Sequence, residues 1–519
     1  ARARAQGVRV LCYWRDRVPN APDLLATAIA DESPRVRLEA VRALSFFNGA
    51  DVPKATSLTY EAVKKPMDTT LEYCFKETLK QLQSLSKEKT LPTDPELLAM
   101  LISKMDDKDL DSQPNVEAVL KAKLERRSYD VVKRTSVINE LAKLHKTDKV
   151  AELIAAYQAF DASANTAASN ELTKVLVGVP QADLAKSHDA LVSLAAKAKR
   201  PEVRKAAWAG ILIGDGKADG AWEVATSVHA TEAIIQAIAV VPNPALRAEF
   251  QPKLTAALAN ASGGTLKAIL AALPLMGPAN ASANFAVLAK NLIEGKERNT
   301  AVDAIRQLPH ESWDKAQAAA IAESLLAYAK TVPQNKRTEQ DFVELTQLGI
   351  DMAGLADNAT LRKELRGLGV AVFVVKTVRE GLKFDTTRLV VEKGKSFQII
   401  FENSDVMPHN LLVVGEGKAV EIGVATMTMG PSEKDKQGRQ YVPKNYKLIE
   451  GTKLLEPTQK QTIELKAPGK EGTMDFVCTF PGHFMTMHGT IVVAKDVDDY
   501  LAKNPTAPAL QVLMPTAAK

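Results

Sequence analysis

Cys478-Thr479-Phe480-Pro481-Gly482-His483-Phe484-Met485-Thr486-Met487 places a thiol, an imidazole and two thioethers within ten residues of a 519-residue chain. The segment follows Met474-Asp475-Phe476-Val477. Met474, Phe476 and Cys478 alternate, so they share one face of a strand, and Cys478 stands at its end facing the interior. Pro481-Gly482 is a turn signal that carries His483 back beside the thiol. Far upstream, Asn403-Ser404-Asp405-Val406-Met407-Pro408 leads into His409, which heads another apolar run, Asn410 to Val414. Together these bring a thiolate, two imidazoles and a thioether to one place. That donor set suits a single copper ion, with His2Cys in a near-trigonal plane and a weak axial Met.

Working outward, Val370–Val375, Leu389–Val391, Phe397–Glu402, Asn410–Val414, Thr462–Leu465, Met474–Cys478 and Gly489–Val493 read as seven short strands. Lys393-Gly394-Lys395 and Ala467-Pro468-Gly469-Lys470 read as turns between them. Such a series predicts a β-sandwich. On these residues the segment from 367 to 495 resembles the cupredoxins: Cys478 to Met487 is similar to the ligand loop of azurin, and Met407-Pro408-His409-Asn410 to the first-ligand region of plastocyanin. The resemblance implies that His409, Cys478 and His483 hold a type 1 (blue) copper with Met487 as axial ligand. It also implies that Asn410 hydrogen-bonds the Cys loop. Azurin has Gly where Pro408 stands here, which implies the four-coordinate, plastocyanin-like arrangement, and azurin's disulfide has no counterpart.

Met485 is a rival axial ligand, but a one-residue gap after His483 suits the fold poorly. His488 directly follows Met487 and reads as a surface residue. From Phe476 to Ala494 no residue is charged. Part of that run is buried strand; Phe480, Pro481, Phe484 and Met485 are expected to surround the exposed edge of His483 as an apolar patch where a redox partner docks.

From residue 1 to about 366 the chain is rich in Ala, Leu, Lys and Glu, with apolar residues recurring at spacings of three and four, the mark of amphipathic helices. Ser33-Pro34-Arg35-Val36-Arg37 and Arg200-Pro201-Glu202-Val203-Arg204 look like copies of one another, each with Pro at a helix start. Asn243-Pro244-Ala245-Leu246-Arg247 and Arg298 to Ile305 are weaker echoes. The pattern resembles HEAT repeats over much of residues 1 to 90 and 165 to 310, implying a solenoid of stacked helix pairs. The expected architecture is therefore an all-α HEAT-like solenoid over 1–366, with a possible break near 88–150, an all-β cupredoxin sandwich over 367–495, and a peripheral tail over 496–519, extended apart from one helical turn before Pro505. Ala1 to Arg15 lacks an initiator Met and a capping signal, and reads as the start of a piece cut from a longer chain.

Other chemistries fail on spacing or count. Asp106-Asp107-Lys108-Asp109-Leu110-Asp111 does not fit a calcium loop: with Asp107 placed first, Ser112 stands at the sixth position and Ala118 at the twelfth. The cluster of Lys121, Lys123, Arg126, Arg127, Lys133 and Arg134 reads as a solvated helix face, with docking of an acidic partner as the alternative. Three Cys without C-x-x-C exclude covalent c-type haem and a zinc pair, and Cys12 and Cys74 read as buried small hydrophobes. The longest apolar runs, such as Gly367 to Val375, are far short of the ~20 residues that cross a bilayer. A charge balance of 67 basic against 62 acidic residues gives no reason to expect a nucleic-acid partner.

Function follows from the single site. After His409 and His483 only His488 remains in the β domain, too few for a type 2 or trinuclear copper centre, so the chain reads as an electron carrier and not an enzyme. Two alternatives stand. Six of the twelve Met lie in this domain, which suits a copper-storing or copper-delivering protein. The helices could also make the chain a scaffold subunit. Helical repeats before a cupredoxin are similar to parts of large bacterial extracytoplasmic redox proteins. That resemblance implies a periplasmic or extracytoplasmic place, and a cytochrome c or dehydrogenase as partner.

Overall fold

Pro34 and Pro201 each open a helix, Pro34–Leu44 and Pro201–Asp215, where their missing N–H leaves nothing unpaired. In the computed structural model, which describes residues 1–86, 91–163, 166–368, 371–444 and 446–514, the sequence copies are also structural copies. Three residues after each Pro an arginine folds back onto the carbonyls five and six positions earlier. Arg37 donates to Asp31 and Glu32 (both 2.9 Å), Arg204 to Ala198 and Lys199 (3.0 and 2.8 Å), and Arg247 to Val241 and Pro242 (2.8 and 3.3 Å). The guanidinium thus caps carbonyls that the turn before the helix leaves open.

By internal contacts the chain divides into two compact units, Ala1–Gly216 and Lys217–Lys519. In the first, helices Arg2–Trp14 and Thr69–Leu85 both pack on Pro34–Leu44. Val36, Ala40, Val41, Leu44, Leu71, Phe75 and Leu79 fill the space between them, each large side chain contributing roughly 1.5–3 kcal/mol on burial. Cys12 is buried as expected, whereas Cys74 is only half-buried, its Sγ near the Leu38 carbonyl. Lys87–Thr90, at the start of the expected break, lie outside the described residues. The acidic run forms a one-turn helix, Asp107–Asp111, capped by Asp106. Of the basic cluster, Lys123 and Arg134 point inward and take no part in a surface patch: Arg134 donates to the carbonyls of Leu124, Arg126 and Tyr129.

The second unit is helical from Ala218–Ser227 to Ala359–Leu368 and then changes to strands. Gly369 and Val370, at the expected start of the first strand, and residues 515–519 of the tail lie outside the described residues. The strands are β1 Val372–Val378, β2 Lys383–Phe384, β3 Arg388–Glu392, β4 Ser396–Glu402, β5 Leu412–Gly415, β6 Glu450–Gly451, β7 Lys460–Lys466, β8 Gly472–Val477 and β9 His488–Ala494. They form two sheets, β2-β1-β4-β7 and β3-β9-β8-β5-β6. The β1–β4 and β3–β9 pairs are parallel and the remaining pairs antiparallel. β4 buries Phe397, Ile399 and Phe401 in strict alternation. They share one core with Val375, Phe384, Val413, Phe476, Ile491 and Val493, as facing sheets require. Beyond the seven expected strands there are two short ones, β2 and β6.

A helix, Ala419–Thr426, departs from the all-β expectation. Its buried Ala419, Ile422, Gly423 and Thr426 carry the three-and-four spacing in a stretch too short to stand out beside strands. Gly423 faces the Phe484 ring so closely that an added Cβ would strike it. Gly423→Val is expected to destabilise the second unit by about 1–3 kcal/mol through overpacking, read as a lower denaturant midpoint; an unchanged midpoint would show that this helix floats free of Phe484.

Within this unit the helices are built onto the sandwich. The part of β1 that β2 does not cover exposes the Val374 amide and carbonyl. Gln347 pairs with both, accepting from the N–H (2.7 Å) and donating to the C=O (3.2 Å), which closes an otherwise open strand edge. Arg306 donates to Asp385 (2.6 and 2.9 Å) and to the Val374 carbonyl (2.9 Å). Lys376 reaches Asp303 and Glu344 at 2.6 and 2.8 Å. The neighbouring carboxylates outweigh burial and raise the Lys376 pKa, so it stays charged. The tail is not free: after helix Val497–Lys503 it is held by Arg388, which donates to the Asn504 and Thr506 carbonyls (2.9 and 2.7 Å). No helix of the described residues is long and apolar enough to cross a membrane.

Candidate metal centre

Asn403 organises the segment that delivers His409. Its Nδ2 donates to the Met407 and Leu455 carbonyls (both 2.8 Å), and its Oδ1 accepts from the Asp405 amide (3.0 Å) and Thr377 Oγ1 (3.1 Å). His409 then pairs by backbone with Leu455 in an isolated bridge. Its ring is fully buried, with Nε2 2.9 Å from Asp405 Oδ2. Burial alone would raise the Asp405 pKa, but hydrogen bonds from His409 and from the Glu380 and Val406 amides hold it below its ordinary value. An ionised carboxylate only accepts, so Nε2 carries a proton and Nδ1 is the ring nitrogen turned away from Asp405.

Nδ1 faces the Cys loop. Cys478 follows β8 directly, fully buried, and its amide donates to the Met487 carbonyl (2.9 Å). Gly482, at φ 85°, makes the turn that Pro481-Gly482 foretold. His483 then enters a short 3₁₀ turn, His483–Met485, and the Met487 amide donates back to the His483 carbonyl (2.8 Å). Cys478 Sγ lies 3.7 Å from Nδ1 of His409 and 3.7 Å from Nδ1 of His483, and the two Nδ1 atoms are 3.1 Å apart. Met487 is fully buried in the same core cluster as Cys478.

Among the described residues this is the one cluster of three or more His, Cys, Asp or Glu able to hold a metal. Its dimensions fit: a sulfur about 2.3 Å and nitrogens about 2.0 Å from one ion place sulfur and nitrogen roughly 3.7 Å apart, as found, and the 3.1 Å between the two Nδ1 atoms corresponds to a narrower angle of about 100° between the imidazoles. Burial pushes the Cys478 thiol up to about 12, so a metal must displace its proton. Burial first, and then the His409 ring, lower His483 to about 4, so its imidazole is neutral and free to ligate.

The supporting residues divide. Asn410 clamps the Cys loop, its Oδ1 accepting from the Thr479 amide (2.8 Å) and its Nδ2 donating to Thr479 Oγ1 (2.9 Å). Pro408 is half-buried. His483 is only 8% exposed, its ring tilted against that of Phe480 with centroids 4.7 Å apart. Phe480 and Pro481 are half-buried, but Phe484 corrects the expected apolar patch. It is fully buried and plugs a second core with Leu412, Val414, Ile422 and Val477, because the Ala419–Thr426 helix covers it. Met485 packs against the same cluster, and its carbonyl accepts from the Leu513 amide of the tail (2.8 Å). His488 is half-buried and donates to the Gln511 carbonyl (2.8 Å) instead of standing free on the surface. Sequence reasoning missed Asp405, although a carboxylate four residues before a candidate ligand was a signal it could have used.

A thiol and two imidazole nitrogens converging at one end of a two-sheet sandwich define the class: a mononuclear centre for a soft metal, of cupredoxin type. Residues 371–494 match the profile described as copper binding proteins, plastocyanin/azurin family. Auracyanin-A of Chloroflexus aurantiacus is 32% identical over 131 residues, spanning 24% of this chain and 76% of that protein. Two solved structures are also similar. Sodium-dithionite-reduced auracyanin from Roseiflexus castenholzii is 27% identical, and auracyanin A of Chloroflexus aurantiacus, titled a "blue" copper protein, is 29% identical. Each aligns with 24% of this chain and 98% of its own, at a TM-score of 0.22. Through this domain the chain belongs to the plastocyanin/azurin family of copper-binding proteins, and it carries a blue-copper electron-transfer domain.

Proposed function

We propose that His409 and His483 through Nδ1, Cys478 through Sγ and Met487 through its thioether would hold copper, and that the chain passes single electrons between redox proteins. Bound copper supplies a one-electron Cu(II)/Cu(I) couple. The rest is the work of this chain's own residues. Two sheets and the Asn410–Thr479 clamp hold the donors in place, so little rearrangement is needed between oxidation states, and Phe480 against His483 marks the side on which a partner approaches. Met407 and Val406, 38% and 50% exposed, lie in the segment that leads into His409. A cytochrome c or a dehydrogenase is the kind of partner proposed, with the helices as its docking scaffold and an extracytoplasmic location.

The observation that carries this reading is the convergence of three buried donor atoms within 4.8 Å of one another. Full burial of His409 and Cys478 also favours a resident metal over one handed onward. The test is to load the protein with one equivalent of Cu(II) and record its optical spectrum and metal content. Intense thiolate-to-Cu(II) absorption at one copper per chain is expected; a colourless protein, or one that keeps zinc in preference, would sink the proposal.

A further inference from the structure

The His409 ring is oriented by a side chain that is itself held from both sides. Asp405 Oδ2 accepts from His409 Nε2 (2.9 Å), while Oδ1 accepts from the amides of Val406 (2.7 Å) and Glu380 (2.8 Å). Glu380 sits at φ 54°, an uncommon conformation for a residue with a side chain. Its carboxylate is bound by Arg247, Oε1 at 3.0 Å and Oε2 at 2.5 Å, and it also faces Arg379 Nε at 3.5 Å. Arg247 is the repeat arginine of helix Pro244–Ala248. Its counterparts Arg37 and Arg204 likewise bind the carbonyls five and six residues earlier, and Arg247 in addition reaches an acid of the β domain. A continuous set of charge-assisted bonds therefore runs from a helix to the back of His409.

We infer that Asp405 is a positioning residue for the copper centre: it fixes the Nε2–H tautomer of His409, aims Nδ1 at the metal, and favours Cu(II) over Cu(I). This rests on His409 being a ligand. A carboxylate behind a metal-bound imidazole raises that ligand's basicity and stabilises the more highly charged ion. The Arg247–Glu380 pair anchors the amide that keeps Asp405 in place.

The test is Asp405→Asn in the full chain, loaded with Cu(II), with wild type beside it. The variant keeps Cys478 and His483, so it is expected to remain coloured while its reduction potential rises. The expected loss of preference for Cu(II) is at least about tenfold, or about 59 mV for one electron. A coloured variant whose potential matches wild type would overturn the inference and leave the ligand assignment standing, whereas a colourless wild type would overturn the ligand assignment itself. Should the variant fail to fold or to hold copper, nitrogen-15 NMR of the wild-type Cu(I) protein decides the matter. A His409 proton on Nε2, protected from exchange, is expected; its absence from Nε2 would overturn the inference.

Discussion

Cys478→Ala is expected to abolish essentially all of the thiolate-to-Cu(II) absorption while leaving the helical far-ultraviolet signal unchanged. The thiol is fully buried at the end of β8 with its sulfur 3.7 Å from each imidazole, so no other thiol can substitute. Cys12 and Cys74 belong to the other compact unit. Removing one sulfur from a core costs about 0.5–1.5 kcal/mol, by analogy with deleting one buried methyl group. That is small enough for the domain to stay folded. Loss of colour with an intact circular-dichroism spectrum and reduced copper content would confirm the role. Retained colour would place the thiolate elsewhere and remove the basis of the proposed site.

Asp385→Ala should give the largest loss of stability. Asp385 has a side-chain exposure of 0% and Arg306 of 5%, and the carboxylate also accepts from the Lys376 amide at 2.8 Å. Truncation leaves a buried guanidinium without its counter-ion, a change that costs roughly 3–5 kcal/mol. The contact joins helix Arg298–Gln307 to the segment after β2, so the loss is expected in unfolding of the second unit, followed by denaturant titration. A change below about 1 kcal/mol, the size of an exposed pair, would mean that the helices lie on the sandwich without being fastened by this pair.

The metal cluster was legible in the sequence because its information is local. Cys478, His483 and Met487 lie on one tight loop, and a Pro-Gly turn of fixed geometry sets their order in space. His409 was legible because Met407-Pro408-His409-Asn410 marks the other end of the same site by resemblance. Strand alternation likewise located all seven of the longer strand runs. Phe484 was misread because its environment is supplied by helix Ala419–Thr426, some sixty residues away, and nothing near Phe484 announces that cover. Asp405 was passed over for a related reason: its meaning depends on which ring nitrogen it meets.

Arg247 and Arg306 show the same limit from the helical side. In sequence Arg247 is one more repeat arginine, alike to Arg37 and Arg204, and Arg306 is one more basic residue of an amphipathic helix. Only packing gives Arg247 to Glu380 and Arg306 to Asp385, and so makes the helices after Lys217 part of the same compact unit as the sandwich. By itself, then, the sequence determined the class of each segment and the residues expected to supply the donors. Period, turn residues and ligand spacing are properties of a few neighbouring residues. The tertiary structure decided what supports the donors, which aromatic ring is hidden, and where the helices attach. Those are matters of which distant side chains share a buried space, and buried charges are stable only where the fold brings each one its partner.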